Sequence, residues 1–137
     1  MATGGAAYCW GRNFDGRLGD GTFNQANSPV AVSGGLTLVR VAGAHSHTCA
    51  LDGSGAAYCW GMNNNGHLGN GTTSEPSPIP GAVAGGHTFA QLSAGSQHTC
   101  GRKGTGEVFC WGLGIEGQLG VPLIVQSEGP VQTSPFE

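Results

Sequence analysis

Apolar residues in this chain come in short runs, and glycine-rich turns separate them. Asp52-Gly53-Ser54-Gly55 is a strong turn signal between two such runs, so residues from about 46 to 61 read as a β-hairpin. Gly101 to Gly106 plays the same part between Cys100 and Cys110. Leu36-Thr37-Leu38-Val39-Arg40-Val41 is short, β-branched and partly alternating, which fits a strand feeding the hairpin. Its counterpart further on is Phe89-Ala90-Gln91-Leu92. The run Met62-Asn63-Asn64-Asn65-Gly66-His67 is polar and turn-rich and reads as a loop. No window of about 11 residues shows helical periodicity carried by helix formers. The expected chain is all-β, built from antiparallel sheets of three or four strands.

The pattern repeats. Tyr8-Cys9-Trp10-Gly11, Tyr58-Cys59-Trp60-Gly61 and Phe109-Cys110-Trp111-Gly112 follow one another at steps of 50 and 51 residues, and they hold every tryptophan of the chain. Leu18-Gly19 matches Leu68-Gly69 and Leu119-Gly120. Gly21-Thr22 matches Gly71-Thr72 but has no third copy. Ser28-Pro29-Val30 matches Ser77-Pro78-Ile79, and Pro130-Val131 continues the series. His47-Thr48-Cys49 matches His98-Thr99-Cys100. One such sheet cannot bury its own faces, so neighbouring units must stack. The unit boundaries expected are roughly 1–50, 51–101 and 102–137.

Composition narrows the reading. Glycine accounts for 27 of 137 residues, yet the glycines recur at fixed places in the repeat and so are turn residues rather than a mark of disorder. Net charge is −3, with no Lys/Arg run, which argues against nucleic acid as a partner. No apolar run is long enough to span a membrane, and Met1-Ala2-Thr3-Gly4-Gly5 lacks the features of a signal peptide.

The succession from His47 to Thr72, His-Thr-Cys-Ala-Leu, a turn, then Tyr-Cys-Trp-Gly-x-Asn-x-x-Gly-x-Leu-Gly-x-Gly-Thr, resembles the repeat of the regulator of chromosome condensation family. The resemblance covers nearly the whole chain. It implies a seven-bladed β-propeller with four-stranded blades, and it implies that the Gly and Trp positions serve blade packing. Kelch, the other propeller repeat of about fifty residues, expects a double glycine and a different Tyr/Trp spacing. A ring of seven such blades needs roughly 350 residues, so this chain is expected to be an incomplete ring. Met1 aligns with Leu51, in mid-hairpin, so the expectation is a segment cut across a blade at both ends. A short chain that completes a ring with copies of itself is the alternative.

Four cysteines fall in register. Cys49 and Cys59 lie opposite each other if their hairpin turns at Ser54, and Cys100 and Cys110 do so about Thr105. Bridges within each hairpin are expected, and they would place the chain in an oxidising compartment. Two pairs of buried free thiols are the other reading. Cys9 has no partner, since its equivalent would precede the first residue.

His47, Cys49 and Cys59 also make three zinc-type ligands per unit. His45 could add a fourth in one unit, but Ser96 and Gln97 cannot in the next, so no metal and no cofactor is expected. A satisfied histidine, bonded to neighbouring backbone, is the expected state of His47 and His98. The His-Cys pair recurs in both units, unlike an active site, and the carboxylates Asp15, Asp20, Asp52, Glu75, Glu107, Glu116, Glu128 and Glu137 form no repeated acid/base pair. The Gly-x-Gly strings have no following helix to cradle phosphate. Asn70-Gly71-Thr72 is a formal N-glycosylation acceptor, although Asp20-Gly21-Thr22 shows that the same loop exists without Asn.

The functional expectation is a non-catalytic interaction or scaffold module, extracellular or at the cell surface. Its partners would be another protein, or neighbouring blades or copies of a larger assembly. Recognition is expected on the variable loops that carry Phe23, Asn24 and Glu75. The alternative implied by the resemblance is a nuclear or cytoplasmic regulator with guanine nucleotide exchange activity on a small GTPase. Plant relatives that sense ultraviolet light use an extra tryptophan cluster, and this chain has one tryptophan per unit.

Overall fold

The computed structural model describes residues 4–121 and 126–133; the expected outer boundaries at 1 and 137 lie outside the described residues. Among the described residues there are ten strands: β1 (Tyr8–Gly11), β2 (Ala26–Ala31), β3 (Leu38–Gly43), β4 (His47–Asp52), β5 (Ala57–Gly61), β6 (Ser77–Ala82), β7 (Gln91–Ala94), β8 (His98–Arg102), β9 (Val108–Leu113) and β10 (Gln126–Gln132). They form three antiparallel sheets: β1-β2, β3-β4-β5-β6 and β7-β8-β9-β10. The two four-stranded sheets are propeller blades of one design, and β1-β2 repeats the outer half of that design.

The hairpin turns close as their residues dictate. The Asp52 carboxylate accepts from the Ser54 amide at 2.9 Å, the Ser54 hydroxyl at 2.7 Å and the Ala56 amide at 3.1 Å. These bonds hold the tip and lower the Asp52 pKa, the Ser54 hydroxyl contributing most. The resulting register sets Thr48 opposite Trp60 and Cys49 opposite Cys59. In the next blade Thr99 faces Trp111 and Cys100 faces Cys110.

Two details differ from the sequence expectation. The strands expected over Leu36–Val41 and Phe89–Leu92 begin about two residues later. Leu38 and Phe89, at or just before the strand starts, are buried against the neighbouring sheets. The fourth strands, β2, β6 and β10, were not legible as strands. Each carries proline, which cannot donate to a ladder, and the prolines sit on the outer edge where no donation is needed. In β6, Pro78 and Pro80 fall within the irregular step between Cys59↔Gly81 and Gly61↔Ser77.

Blades stack through a recurring knob and socket. The Trp60 indole N–H donates to the Arg17 carbonyl at 2.9 Å, and Thr48 donates to the same oxygen at 2.9 Å. Trp111 donates to the His67 carbonyl at 3.1 Å. Gly19 and Gly69, both at positive φ, let the chain lie flat on these rings. A Cβ on Gly19 would stand 2.6 Å from Trp60 Nε1, and one on Gly69 would stand 2.8 Å from the Trp111 ring. Ala7, Leu38, Ala50 and Trp60 fill the first interface; Leu51, Leu68, Phe89 and Trp111 are in the second. Trp10 breaks the expected equivalence of the three tryptophans. It is 62% exposed, because no described residue ahead of it supplies a Leu-Gly socket.

Candidate functional site

The loops that leave β1, β5 and β9 form one end of the stacked blades. Their shape comes from a buried asparagine. Asn13 Nδ2 donates to the Thr22 carbonyl at 2.9 Å and the Asn24 carbonyl at 3.0 Å, while its Oδ1 accepts from the Leu18 amide at 2.9 Å. Asn63 repeats this with the Thr72 carbonyl at 3.1 Å, the Ser74 hydroxyl at 3.0 Å and the Leu68 amide at 3.0 Å. Both side chains are fully buried and bonded through nitrogen and oxygen, so each ties the start of its loop to the later part of the same loop. The third unit has Gly114 at this position and also lacks the Gly-Thr step, Val121 following Gly120. The plug residue and the Gly-Thr step are thus both absent from the third unit's sequence.

On these tips apolar side chains stand in solvent. Phe14 is 69% exposed, Ile115 60% and Phe23 49%. Phe14 and Ile115 occupy the same place in the first and third units, where the second has Asn64. The Arg12 guanidinium lies 5.8 Å from the Phe14 ring centre. Of the loop residues expected to contact a partner, Phe23 and Asn24 are exposed and share the first unit's tip with Phe14, tied through Asn13. Glu75 is exposed on the equivalent loop of the second unit. Sequence reasoning missed Phe14 and Ile115; the available signal was an apolar residue inside an otherwise polar loop, at the same repeat position twice.

Disulfides join Cys49 to Cys59, with sulfurs 2.13 Å apart, and Cys100 to Cys110, at 2.07 Å. Cys9 is free and half-buried, and burial pushes its thiol pKa up. Asn70 is exposed on the second unit's loop.

The histidines require a correction. His47 does not bond neighbouring backbone. Its Nε2 meets the Thr99 hydroxyl of the next blade at 2.7 Å, and that hydroxyl also lies 3.5 Å from Cys49 Sγ. The His47 and His67 rings are 5.2 Å apart, and each Nδ1 is buried without a partner among the described residues. With Cys49 bridged, the His-Cys pair presents no thiol nucleophile. Among the described residues, no group of three or more His, Cys, Asp or Glu is placed to hold a metal ion. Burial pushes the His47 pKa down to about 3, with repulsion from His67 and His98 adding to it, and burial lowers that of His67.

Folding therefore favours neutral imidazole in this cluster. Below about 6.5, the ordinary His value, the unfolded chain binds protons that the folded chain refuses. Stability is full above that pH and is lost as pH falls towards 3. Thermal melts across this range should show Tm falling from about pH 6.5 downwards, and His47→Gln should flatten part of the fall. A wild-type Tm constant from pH 7 to pH 4 would contradict the assignment.

Comparison with known proteins places this geometry. The regulator of chromosome condensation (RCC1) repeat matches residues 4–51 and 54–101, and a second form of the repeat matches 41–66 and 89–118. The ultraviolet-B receptor UVR8 of Arabidopsis thaliana is 32% identical over 141 residues, covering the whole chain and 32% of that relative. Human WBSCR16 superposes with a TM-score of 0.87 at 28% identity, over 98% of this chain and 35% of that one. Prp20p of Saccharomyces cerevisiae gives a TM-score of 0.84 at 19% identity, over 95% and 34%, a likeness of fold. The chain thus spans about a third of the length of these relatives. Its stacked sheets, with a Trp of one blade seated on the Leu-Gly turn of the blade before, are those of an open propeller arc, and the chain belongs to the regulator of chromosome condensation (RCC1) repeat family.

Proposed function

We propose that this chain is a non-catalytic protein-interaction module of the extracellular space or cell surface, and that it meets its partner with the loop end of its blades. The observation that carries the reading is the exposure of Phe14 and Phe23 on a loop that the buried Asn13 side chain holds in place, with Ile115 exposed at the position equivalent to Phe14 in the third unit. Rigid tips that present apolar and aromatic groups lose little entropy on binding, and such groups are the usual anchors of protein interfaces. Most side chains repeated between units are consumed by architecture: the Trp60 and Trp111 indoles by sockets, the Asn13 and Asn63 amides by plugs, and Cys49, Cys59, Cys100 and Cys110 by bridges. The bridges support an oxidising compartment. One tryptophan per repeat supports binding over light sensing.

The test is a substitution scan read in two ways. Phe14→Ala, Phe23→Ala, Ile115→Ala and Glu75→Ala should each shift stability by no more than about 0.5 kcal/mol. Variants at the true contact should weaken capture of a partner first isolated with the wild-type chain from extracellular fluid. Equal capture by all four variants would remove the loop end from the interface. Accelerated nucleotide release from a small GTPase, with many turnovers per chain, would replace this reading by the exchange-factor one.

A further inference from the structure

We propose that Asn70 is an acceptor for an N-linked glycan; the proposal rests on the extracellular reading above. The sequon Asn70-Gly71-Thr72 lies in an exposed loop between Gly69 and β6. What turns a short motif into a site is the way the loop uses its first residue. Asn70 works through its oxygen. Oδ1 accepts from the Thr72 hydroxyl at 2.8 Å, the Thr72 amide at 3.1 Å and Asn63 Nδ2 at 3.5 Å. Its Nδ2 donates to no partner among the described residues.

The first unit shows that this nitrogen is dispensable to the fold. There Asp20 accepts from the Thr22 hydroxyl at 2.9 Å, the Thr22 amide at 2.9 Å and Asn13 Nδ2 at 3.3 Å. Aspartate has no side-chain nitrogen, yet the loop closes in the same way. The amide nitrogen of Asn70 is therefore a group that the architecture does not use, on a side chain open to solvent. The Gly71 amide donates to the Glu128 carbonyl at 2.7 Å, which pins the loop to the next blade and occupies the nitrogen that would otherwise attack the Asn70 side chain and deamidate it.

The repeat offers one more sign. The unit that carries the sequon has polar Asn64 at its tip, whereas the units without it carry Phe14 and Ile115. A glycan on the second unit would leave the apolar tips of the first and third open to a partner.

The donor class is an oligosaccharide linked to lipid through pyrophosphate. Nδ2 bonds to the anomeric carbon, the bond from that carbon to the pyrophosphate oxygen breaks, lipid pyrophosphate leaves, and the amide gives up one proton.

The test expresses the full chain through a eukaryotic secretory pathway. Its mass is compared before and after an amidase that hydrolyses Asn-linked glycans in heavy-oxygen water. The expected result is a glycan on residue 70 and a heavy-oxygen aspartate there after cleavage, which separates release of a glycan from spontaneous deamidation. Asn70→Asp should carry no glycan and melt with the unmodified chain, as Asp20 foretells. Residue 70 left unmodified on a chain whose cysteines are bridged would overturn the proposal while sparing the extracellular reading. Free cysteines on the secreted chain would overturn both. A large fall in melting temperature for Asn70→Asp would refute the claim that the nitrogen is spare.

Discussion

Trp60→Ala should destabilise the chain by about 3–5 kcal/mol, and Trp10→Ala should barely register. Trp60 is fully buried between the first two sheets, and its indole N–H satisfies the Arg17 carbonyl. Removing it opens a cavity against Gly19 and weakens the hold on a loop carbonyl at once. Trp10 has the same neighbours in sequence but lies mostly in solvent. Denaturant unfolding of the two variants checks the contrast. Equal losses would mean that the motif acts through its own hairpin rather than through the socket of the preceding unit. Because whole domains are stable by only about 5–15 kcal/mol, the Trp60 variant stands close to global unfolding.

Reduction of the two bridges should cost about 3 kcal/mol each, the value expected for closing a loop of about 11 residues in the chain-entropy model. The bridges lie on the two central strands of each four-stranded sheet, Cys49–Cys59 within the interface cluster that also holds Leu51, Leu68 and Trp111. Melting with and without reductant measures the loss, and the double variant Cys49→Ala, Cys59→Ala should reproduce about half of it. A melting temperature indifferent to reductant would show that the bridges carry no stability.

Much of this architecture is legible in the sequence. The Trp-Gly steps, the Leu-Gly steps and the Asp52 and Lys103–Gly106 turns are local chemistry, and local chemistry is written in local sequence. What escaped depended on distant partners. The outer strands β2, β6 and β10 were not placed individually, although sheets of three or four strands were expected, because their prolines forbid a central position but not an edge. The role of Asn13 and Asn63 escaped because a buried asparagine and a solvated one look alike in a polar loop; only the bonds to Thr22 and Thr72, nine residues on, separate them. His47 was expected to find backbone and instead found Thr99, 52 residues away in the next blade. For the candidate surface, Phe23, Asn24 and Glu75 were picked out by loop position alone. Phe14 and Ile115 needed the structure to show that they point away from the blade.

The central claim is that the blades are locked hairpin by hairpin. Peptide mapping of the natural protein under non-reducing conditions tests it most directly. The account predicts linked peptides joining Cys49 to Cys59 and Cys100 to Cys110. Free thiols at all four positions, or a bridge from one blade to the next, would contradict it.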